Sequence, residues 1–173
     1  MPDKQPTTVN IKELAEYLIA RFQAEGVPIT PVKLQKLLYY IQAWHLVYEK
    51  GHPLFNDQPE AWVNGPVYKA VFPLYKNRFM YDSIVLAGVK DDAEARAAME
   101  KKFAALKLNQ EQAGLLESVI QAYGFLENEK LILLSHSEKP WLEARVGLGP
   151  LEKSAKPISH DTMRAFYGAR VKK

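Results

Sequence analysis

The chain has 173 residues, of which 47% are hydrophobic and 25% are charged, and these proportions indicate one globular domain and exclude an intrinsically disordered chain. The net charge of +3 comes from dispersed Lys and Arg residues, so it does not indicate a nucleic-acid-binding face, and the lack of cysteine excludes disulfides, Cys-ligated zinc and a thiol nucleophile. No apolar run reaches the roughly 20 residues of a membrane span, the N-terminal residues lack the apolar core of a signal peptide, and we expect a soluble cytoplasmic protein.

The first predicted helix follows a polar lead. Residues 1–9 contain two prolines, and we expect them to be flexible. Asn10 and Glu13 resemble a capping box, in which a side chain and the backbone satisfy each other's free donors. The apolar residues behind them recur at helical spacing until Gly26, which predicts an amphipathic helix of about four turns.

A second helix is predicted from residue 31 to Gly51. Thr30 suits the N-cap, and Pro31 suits the first helical position, where its missing N–H costs nothing. Apolar residues cover most of the circumference of this segment. A helix with that pattern is usually central and covered on several sides, so we expect it to form the spine of the fold.

The segment after this helix combines turn-forming residues with aromatic residues. Residues 60–63 indicate a short extended piece, and the Asn-Gly-Pro at 64–66 turns the chain. The proline of that turn also suits the start of a helix, with Gly65 or Asn64 as its cap. The apolar spacing predicts this helix over 66–75, and Pro73 inside it should kink it or end it early. Trp62 and Tyr68 flank this corner.

The second half of the chain is predicted to be helical after an irregular segment. Residues 84–86 have the composition of a short strand, but no obvious partner strand exists. An outer helix follows, with an acidic first turn that favours the helix dipole. N-caps of further helices are predicted at Asn109, Asn128 and Ser159, and Pro140 begins a short helical turn.

These elements predict a mainly α protein. We expect a single compact helical domain over 10–170, built around the central apolar helix with at most a minor β element, and a basic tail at 171–173. No internal repeat and no clear linker is present.

Signs of a reaction centre are few. None of the four histidines has metal-ligand spacing, and neither a Walker loop nor GxGxxG occurs, so we predict no metal, no cofactor and no catalytic residue. A hydrolase that uses His136, beside Ser135 and Ser137, or His45 remains an alternative. Nucleophilic catalysis requires the serine, the base and its orienting group to converge in space, and adjacency in sequence does not supply that.

Aromatic residues are the other candidates for function. Buried Tyr and Trp are common in cores and also at interface hot spots, so each has two interpretations, architectural or part of a partner surface. Tyr39 and Tyr40 are adjacent and point about 100° apart on a helix, so we expect them to face different neighbours. The candidate residues are Tyr39, Tyr40, Trp44, His45, Trp62, Gly65, Pro66, Tyr68, His136 and Trp141.

Three ordered motifs resemble those of one protein family. Residues 34–45 follow the pattern L-x-K-L-L-Y-Y-x-Q-x-W-H, residues 60–67 follow E-A-W-x-x-G-P-V, and residues 135–141 follow S-H-x-x-x-P-W. On these motifs the chain resembles the Panacea domain of SocA-like antitoxins, which include phage-associated GepA-type proteins. The resemblance covers nearly the whole chain.

The resemblance implies a helical domain that binds and neutralises a cognate toxin encoded nearby, with no cofactor and no catalytic residue. It also implies that the motif positions are chiefly architectural. Because antitoxins often fold partly on binding, the resemblance further leads us to expect residues 78–92 to be mobile until a partner binds. One family member delivers its toxin to a AAA+ protease, so a protease is a second candidate partner. The main alternative is a prophage-derived protease adaptor or host-modulating interaction protein without a cognate toxin. A membrane partner is not expected, and nucleic-acid binding, which would rest on the mildly basic charge alone, ranks below the adaptor.

Overall fold

The structure is a computed structural model that describes residues 6–75 and 79–171. In these ranges the chain is mainly helical with one two-stranded hairpin, which confirms the predicted fold class. No helix in the described ranges is long and apolar enough to cross a membrane. The elements are α1 (Ile11–Ala24), α2 (Pro31–Tyr48), β1 (Glu60–Trp62), β2 (Gly65–Val67), α3 (Phe72–Tyr75), α4 (Asp92–Leu106), α5 (Gln110–Tyr123), α6 (Asn128–Ser137), α7 (Lys139–Ala144) and α8 (His160–Gly168).

Helix α2 is the centre of the fold, as its apolar circumference predicts. The side chain of Thr30 accepts a hydrogen bond from the N–H of Lys33 at 3.1 Å, and Pro31 occupies the first turn. Most of the helix is buried, because α1, α5, α6, α8 and the hairpin pack around it. Even the charged side chains of Lys33 and Lys36 lie inside this packing.

Helices α1 and α4 form an outer layer beside the central helix. Asn10 caps α1 through the N–H of Lys12, 2.8 Å from its side-chain oxygen, and not through that of Glu13 as the predicted capping box requires. The apolar face of α1 is buried against its neighbours, and α4 packs along α1 with only Ala95 and Leu106 buried. The weakly amphipathic sequence of α4 is therefore that of an outer helix.

The predicted caps of the C-terminal helices are confirmed in two cases and wrong in one. Asn109 forms a capping box with Gln112 at the start of α5, and Ser159 caps α8. Asn128 is the first residue of α6 and does not cap it, because its side-chain oxygen accepts a hydrogen bond from the hydroxyl of Thr30 at 2.8 Å. A contact with a residue distant in sequence thus competes with the local cap.

The predicted helix over 66–75 is wrong. Residues 65–67 form β2, which pairs antiparallel with β1 and places Ala61 opposite Pro66; only Phe72–Tyr75 is helical. Gly65 has φ +104°, a conformation incompatible with a helix N-cap. The turn itself is formed by Val63 and Asn64, and a glycine with positive φ directly after such a turn is common in hairpins. Strand pairing therefore outweighs the preference of proline for a helix start.

The irregular segment before α4 and the described part of the N-terminal lead both contact other parts of the fold. Residues 84–86 form no strand; the N–H of Ile84 donates to the carbonyl of Ile29 at 2.8 Å, which ties this loop to the loop before α2. Residues 1–5, 76–78 and 172–173 lie outside the described residues, and with them parts of the predicted lead, mobile segment and tail. Within the lead, Thr7 hydrogen-bonds to Gln112.

Candidate partner-binding site

The hairpin sits directly on the central helix through a buried lysine. The Lys36 side chain is 1% exposed, and its Nζ donates to the carbonyl of Pro66 at 3.1 Å. A Cβ on Gly65 would lie 2.7 Å from Lys36 Nζ and 2.8 Å from Ser135 Oγ, so glycine alone fits this contact. Burial lowers the pKa of Lys36 from 10.5 to about 7, because the ammonium group loses its hydration.

Helix α7 holds the hairpin from the other side. The indole N–H of Trp141 donates to the carbonyl of Trp62 at 2.8 Å, and a guanidinium N–H of Arg145 donates to the carbonyl of Ala61 at 2.8 Å. The Trp141 ring is stacked on the His136 ring, with centroids 4.0 Å apart and planes 8° apart. The E-A-W-x-x-G-P-V and S-H-x-x-x-P-W motifs therefore build one rigid corner.

His136 has no catalytic neighbours in this corner. Burial, and then the charges of Lys36 and Arg145, lower its pKa, and within the described part of the chain its Nε2 has no hydrogen-bond partner. The hydroxyls of Ser135 and Ser137 donate to backbone carbonyls inside α6. No serine–histidine hydrogen bond is present in residues 6–75 and 79–171, so this geometry gives the hydrolase alternative no nucleophile–base pair.

His45 is a structural residue of the central helix. Its Nδ1 lies 2.8 Å from the carbonyl of His52 and its Nε2 lies 3.0 Å from Nε2 of Gln112. A carbonyl requires a donor and an amide N–H requires an acceptor, so the ring is neutral with its proton on Nδ1. Burial lowers the pKa of His45 to about 4, which agrees with that state. No group of three His, Asp or Glu residues in the described ranges is placed to hold a metal ion.

A second buried cluster contains three tyrosines around one carboxylate. Glu138, 2% exposed, accepts hydrogen bonds from Tyr40 and from Tyr167 at 3.2 Å, and Arg170 pairs with it at 3.0 Å. The hydroxyl of Tyr167 also lies 3.1 Å from that of Tyr39. Burial raises the pKa of Glu138 and of these tyrosines.

The expectation that Tyr39 and Tyr40 face different neighbours is wrong. Both rings contact Tyr167 edge-on, each with centroids 6.0 Å apart. The long side chains converge on one ring although their Cα–Cβ bonds diverge, because α8 packs on α2 and places Tyr167 within reach of both. Trp44 closes the cluster, since its indole N–H donates to the hydroxyl of Tyr123 at 3.0 Å.

Burial separates the ten candidate residues. Tyr68 is 0% exposed and packs against Phe55 with ring centroids 5.2 Å apart, so its side chain is out of reach of a partner in this structure. This placement favours the architectural interpretation of Tyr68 over the partner-surface one. The buried candidates are Tyr39, Tyr40, His45, Gly65, Pro66, Tyr68 and Trp141, and the half-buried ones are Trp44, Trp62 and His136.

A cleft of about 730 Å³ opens on the outer side of the hairpin. We call it the corner cleft; it lies between the start of α2, the hairpin, residues 69–75, Met80 and residues 153–155. Of the ten candidate residues, only Trp62 lines it. Its other principal lining side chains are Lys36, Lys69, Phe72, Tyr75, Met80 and Lys153.

One wall of the cleft, which includes Trp62 and Phe72, is apolar. Phe72 packs edge-on against Trp62 with ring centroids 4.8 Å apart and is still 38% exposed. Leu74, Phe79 and Tyr81 are exposed apolar residues close to these in sequence, but they do not line the cleft. Contiguous exposed apolar groups mark interaction sites in soluble proteins.

Few of the residues that line this cleft could be identified from the sequence alone. Besides Trp62, Lys36 is the lining residue with a signal, because a lysine inside the apolar spine helix requires an unusual environment. Lys69 was placed in a helix that does not form at its position, and Phe72 is the first residue of the short helix α3 that does form. Lys153 joins them from more than 80 residues further along the chain, and no sequence pattern links these positions.

Comparison with known proteins identifies the family. The sequence model of "Antitoxin SocA-like, Panacea domain" matches residues 34–142. The chain is 30% identical over 140 residues to a protein named Antitoxin SocA from Caulobacter vibrioides (strain NA1000 / CB15N), an alignment that covers 80% of this chain and 71% of that protein. No solved structure matches. The resemblance inferred from the three motifs is therefore confirmed, and the chain belongs to the SocA-like, Panacea-domain antitoxin family.

Proposed function

We propose that this chain is a non-enzymatic antitoxin that neutralises a cognate toxin by direct protein–protein binding in the cytoplasm. The observation that carries the proposal is the corner cleft, an apolar depression with exposed aromatic residues on a rigid support. Family membership supplies the antitoxin role, and the cleft supplies a surface on which a toxin could be bound.

The cleft has the features of an interface more than those of a reaction centre. Trp62 and Phe72 offer large apolar area at low entropic cost, as interface hot spots do. The corner behind them is held by Trp141, Arg145 and Lys36 through hydrogen bonds to the hairpin backbone. A fixed support reduces the cost of ordering the surface when a partner binds.

The test is expression of the neighbouring open reading frame under tight control, alone and together with this chain. We expect the neighbour to arrest growth alone, growth to recover on co-expression, and the two proteins to co-purify at a fixed ratio. Leu142→Glu, which changes an exposed apolar residue of α7 outside the cleft, should rescue growth like the wild type.

Each other outcome has a distinct meaning. A harmless neighbour would contradict the proposal. Rescue without a stable complex, and lost when a AAA+ protease gene is deleted, would replace inhibition by binding with delivery for degradation.

A further inference from the structure

The corner cleft presents a wall on which apolar side chains can be seated. Trp62, Phe72, Tyr75 and Met80 are among its lining residues, and the rings of Trp62 and Phe72 are in contact. A partner segment that places one or two apolar side chains here would bury Phe72 and Trp62 further, which favours binding.

The charges around the same cleft have one dominant sign. Lys69 and Lys153 are exposed, come from two different segments, and form no ion pair within residues 6–75 and 79–171. Lys36 adds a buried amine at the contact between α2 and the hairpin. The acidic lining residue is Glu60, and its carboxylate already accepts a hydrogen bond from the indole N–H of Trp62 at 2.6 Å.

We infer that the corner cleft binds an acidic, apolar segment of the toxin, with its apolar side chains against Trp62 and Phe72 and its carboxylates beside Lys69 and Lys153. The inference rests on the proposed function, because it assigns the chemistry of the toxin surface that this antitoxin contacts. The lysines also exclude competitors, since a basic segment would meet like charges in a partly desolvated site.

The experiment measures the affinity of the purified toxin from the neighbouring gene for three forms of this chain by calorimetry. The test variant is Lys69→Glu/Lys153→Glu. The control is Lys12→Glu/Lys101→Glu, which makes the same charge change at exposed lysines of α1 and α4, outside the cleft. Circular dichroism and thermal unfolding of each form confirm that the fold is retained.

We expect the test variant to bind at least about tenfold more weakly, since two exposed ion pairs become two repulsions. We expect the control to stay within about twofold of the wild type, a range typical of charges distant from an interface. Raising the salt concentration should weaken the wild-type complex more than the complex of the test variant, because attraction between partly exposed charges is screened.

A second variant tests the apolar wall. Phe72→Glu places a carboxylate among the apolar groups and should lower the affinity by at least about tenfold, since it removes an aromatic contact and adds a repulsion. Leu142→Glu is the matched control, because it makes the same change at an exposed apolar residue outside the cleft. Its affinity should equal that of the wild type.

The outcomes separate this inference from the function beneath it. If the wild type forms no complex with the toxin, the proposed function and this inference both fail. If the wild type binds and both cleft variants bind equally well, direct binding stands and the inference is overturned. A dimer of this chain that Phe72→Glu dissociates, with toxin affinity unchanged, would assign the cleft to a second copy and would likewise overturn it.

Discussion

Replacement of Lys36 by Met tests whether a buried amine supports the corner. Met has nearly the same length and fits an irregular apolar site, so Lys36→Met removes the charge with little change in volume. It also removes the donor to the Pro66 carbonyl, a loss that applies whether the amine is charged or neutral. Only the charge of Lys36 therefore makes the stability difference between the two proteins depend on pH.

The magnitude follows from the pKa of Lys36. Burial lowers this pKa from its ordinary value of 10.5, which applies to the unfolded chain, to about 7 in the folded protein. Between these values the unfolded chain binds more protons than the folded one, so the free energy of unfolding rises with pH in the wild type. Linkage with these two pKa values gives a rise of about 2 kcal/mol between about pH 7 and about pH 9 that Lys36→Met lacks.

The assay is chemical denaturation of both proteins across this pH range. Subtracting the two curves cancels the other groups, including the buried tyrosines, whose raised pKa values affect both proteins alike. The stability of Lys36→Met relative to the wild type should be highest near neutral pH and should fall by about 2 kcal/mol toward pH 9. A difference that does not change with pH would refute the reasoning, since it would mean that the Lys36 ammonium is hydrated in the folded state.

Two further substitutions test the supports of the fold. Gly65→Ala forces φ +104° on a residue with a Cβ and pushes that atom against Lys36 and Ser135. Thermal unfolding of this variant should show a loss of stability of about 2 kcal/mol or more. The control is Gly114→Ala, on α5 with open space around it, which should be neutral or slightly stabilising. Glu138→Ala leaves buried tyrosine hydroxyls without their acceptor and should lower the free energy of unfolding by about 3 kcal/mol in a denaturant titration. Glu138→Gln should lower it less, because an acceptor remains. An equal loss of stability for the two variants would contradict this account.

The parts of the fold that the sequence predicts well are those decided within a few residues. Asn10, Thr30, Asn109 and Ser159 each accept a hydrogen bond from a backbone N–H two or three positions ahead. The chemistry of such a cap is complete in a short window of sequence. The helical periodicity of α1 and the apolar circumference of α2 are likewise local patterns, so their burial could be inferred in advance.

The predictions that are wrong depend on contacts between distant residues. For residues 65–67 a hairpin with β1 and a helix start were both acceptable on local grounds, and the hairpin is held by the distant contact of Pro66 with Lys36, 30 positions earlier in the chain. Asn128 does not cap α6 as expected, because its side-chain oxygen accepts a hydrogen bond from the hydroxyl of Thr30, 98 positions away. The neighbouring residues in the sequence allow two conformations at each of these places, and they do not show which one a distant contact will select.

The candidate site was harder to predict than the fold for a related reason. Aromatic composition drew attention to Tyr39, Tyr40 and Tyr68, but the same residue types serve in cores and in interfaces. Which of them is exposed depends on how α8 and the hairpin cover the central helix. Trp62 was found because the turn beside it is conspicuous, whereas Lys153 reaches the cleft from a loop with no distinctive pattern.

The three family motifs form the support of the hairpin, whereas the corner cleft is the proposed binding surface. The motif residues meet each other: Lys36 from the first motif, Pro66 from the second and Trp141 from the third are joined through the hairpin backbone. Most cleft residues lie outside these motifs, and Lys153 lies outside the matched range of 34–142 altogether. The family match therefore accounts for the scaffold, while the choice of toxin should depend on Lys69, Phe72 and Lys153. A chain with the same three motifs but different residues at these positions would keep the corner and bind a different partner, because the hydrogen bonds that hold the hairpin do not involve them.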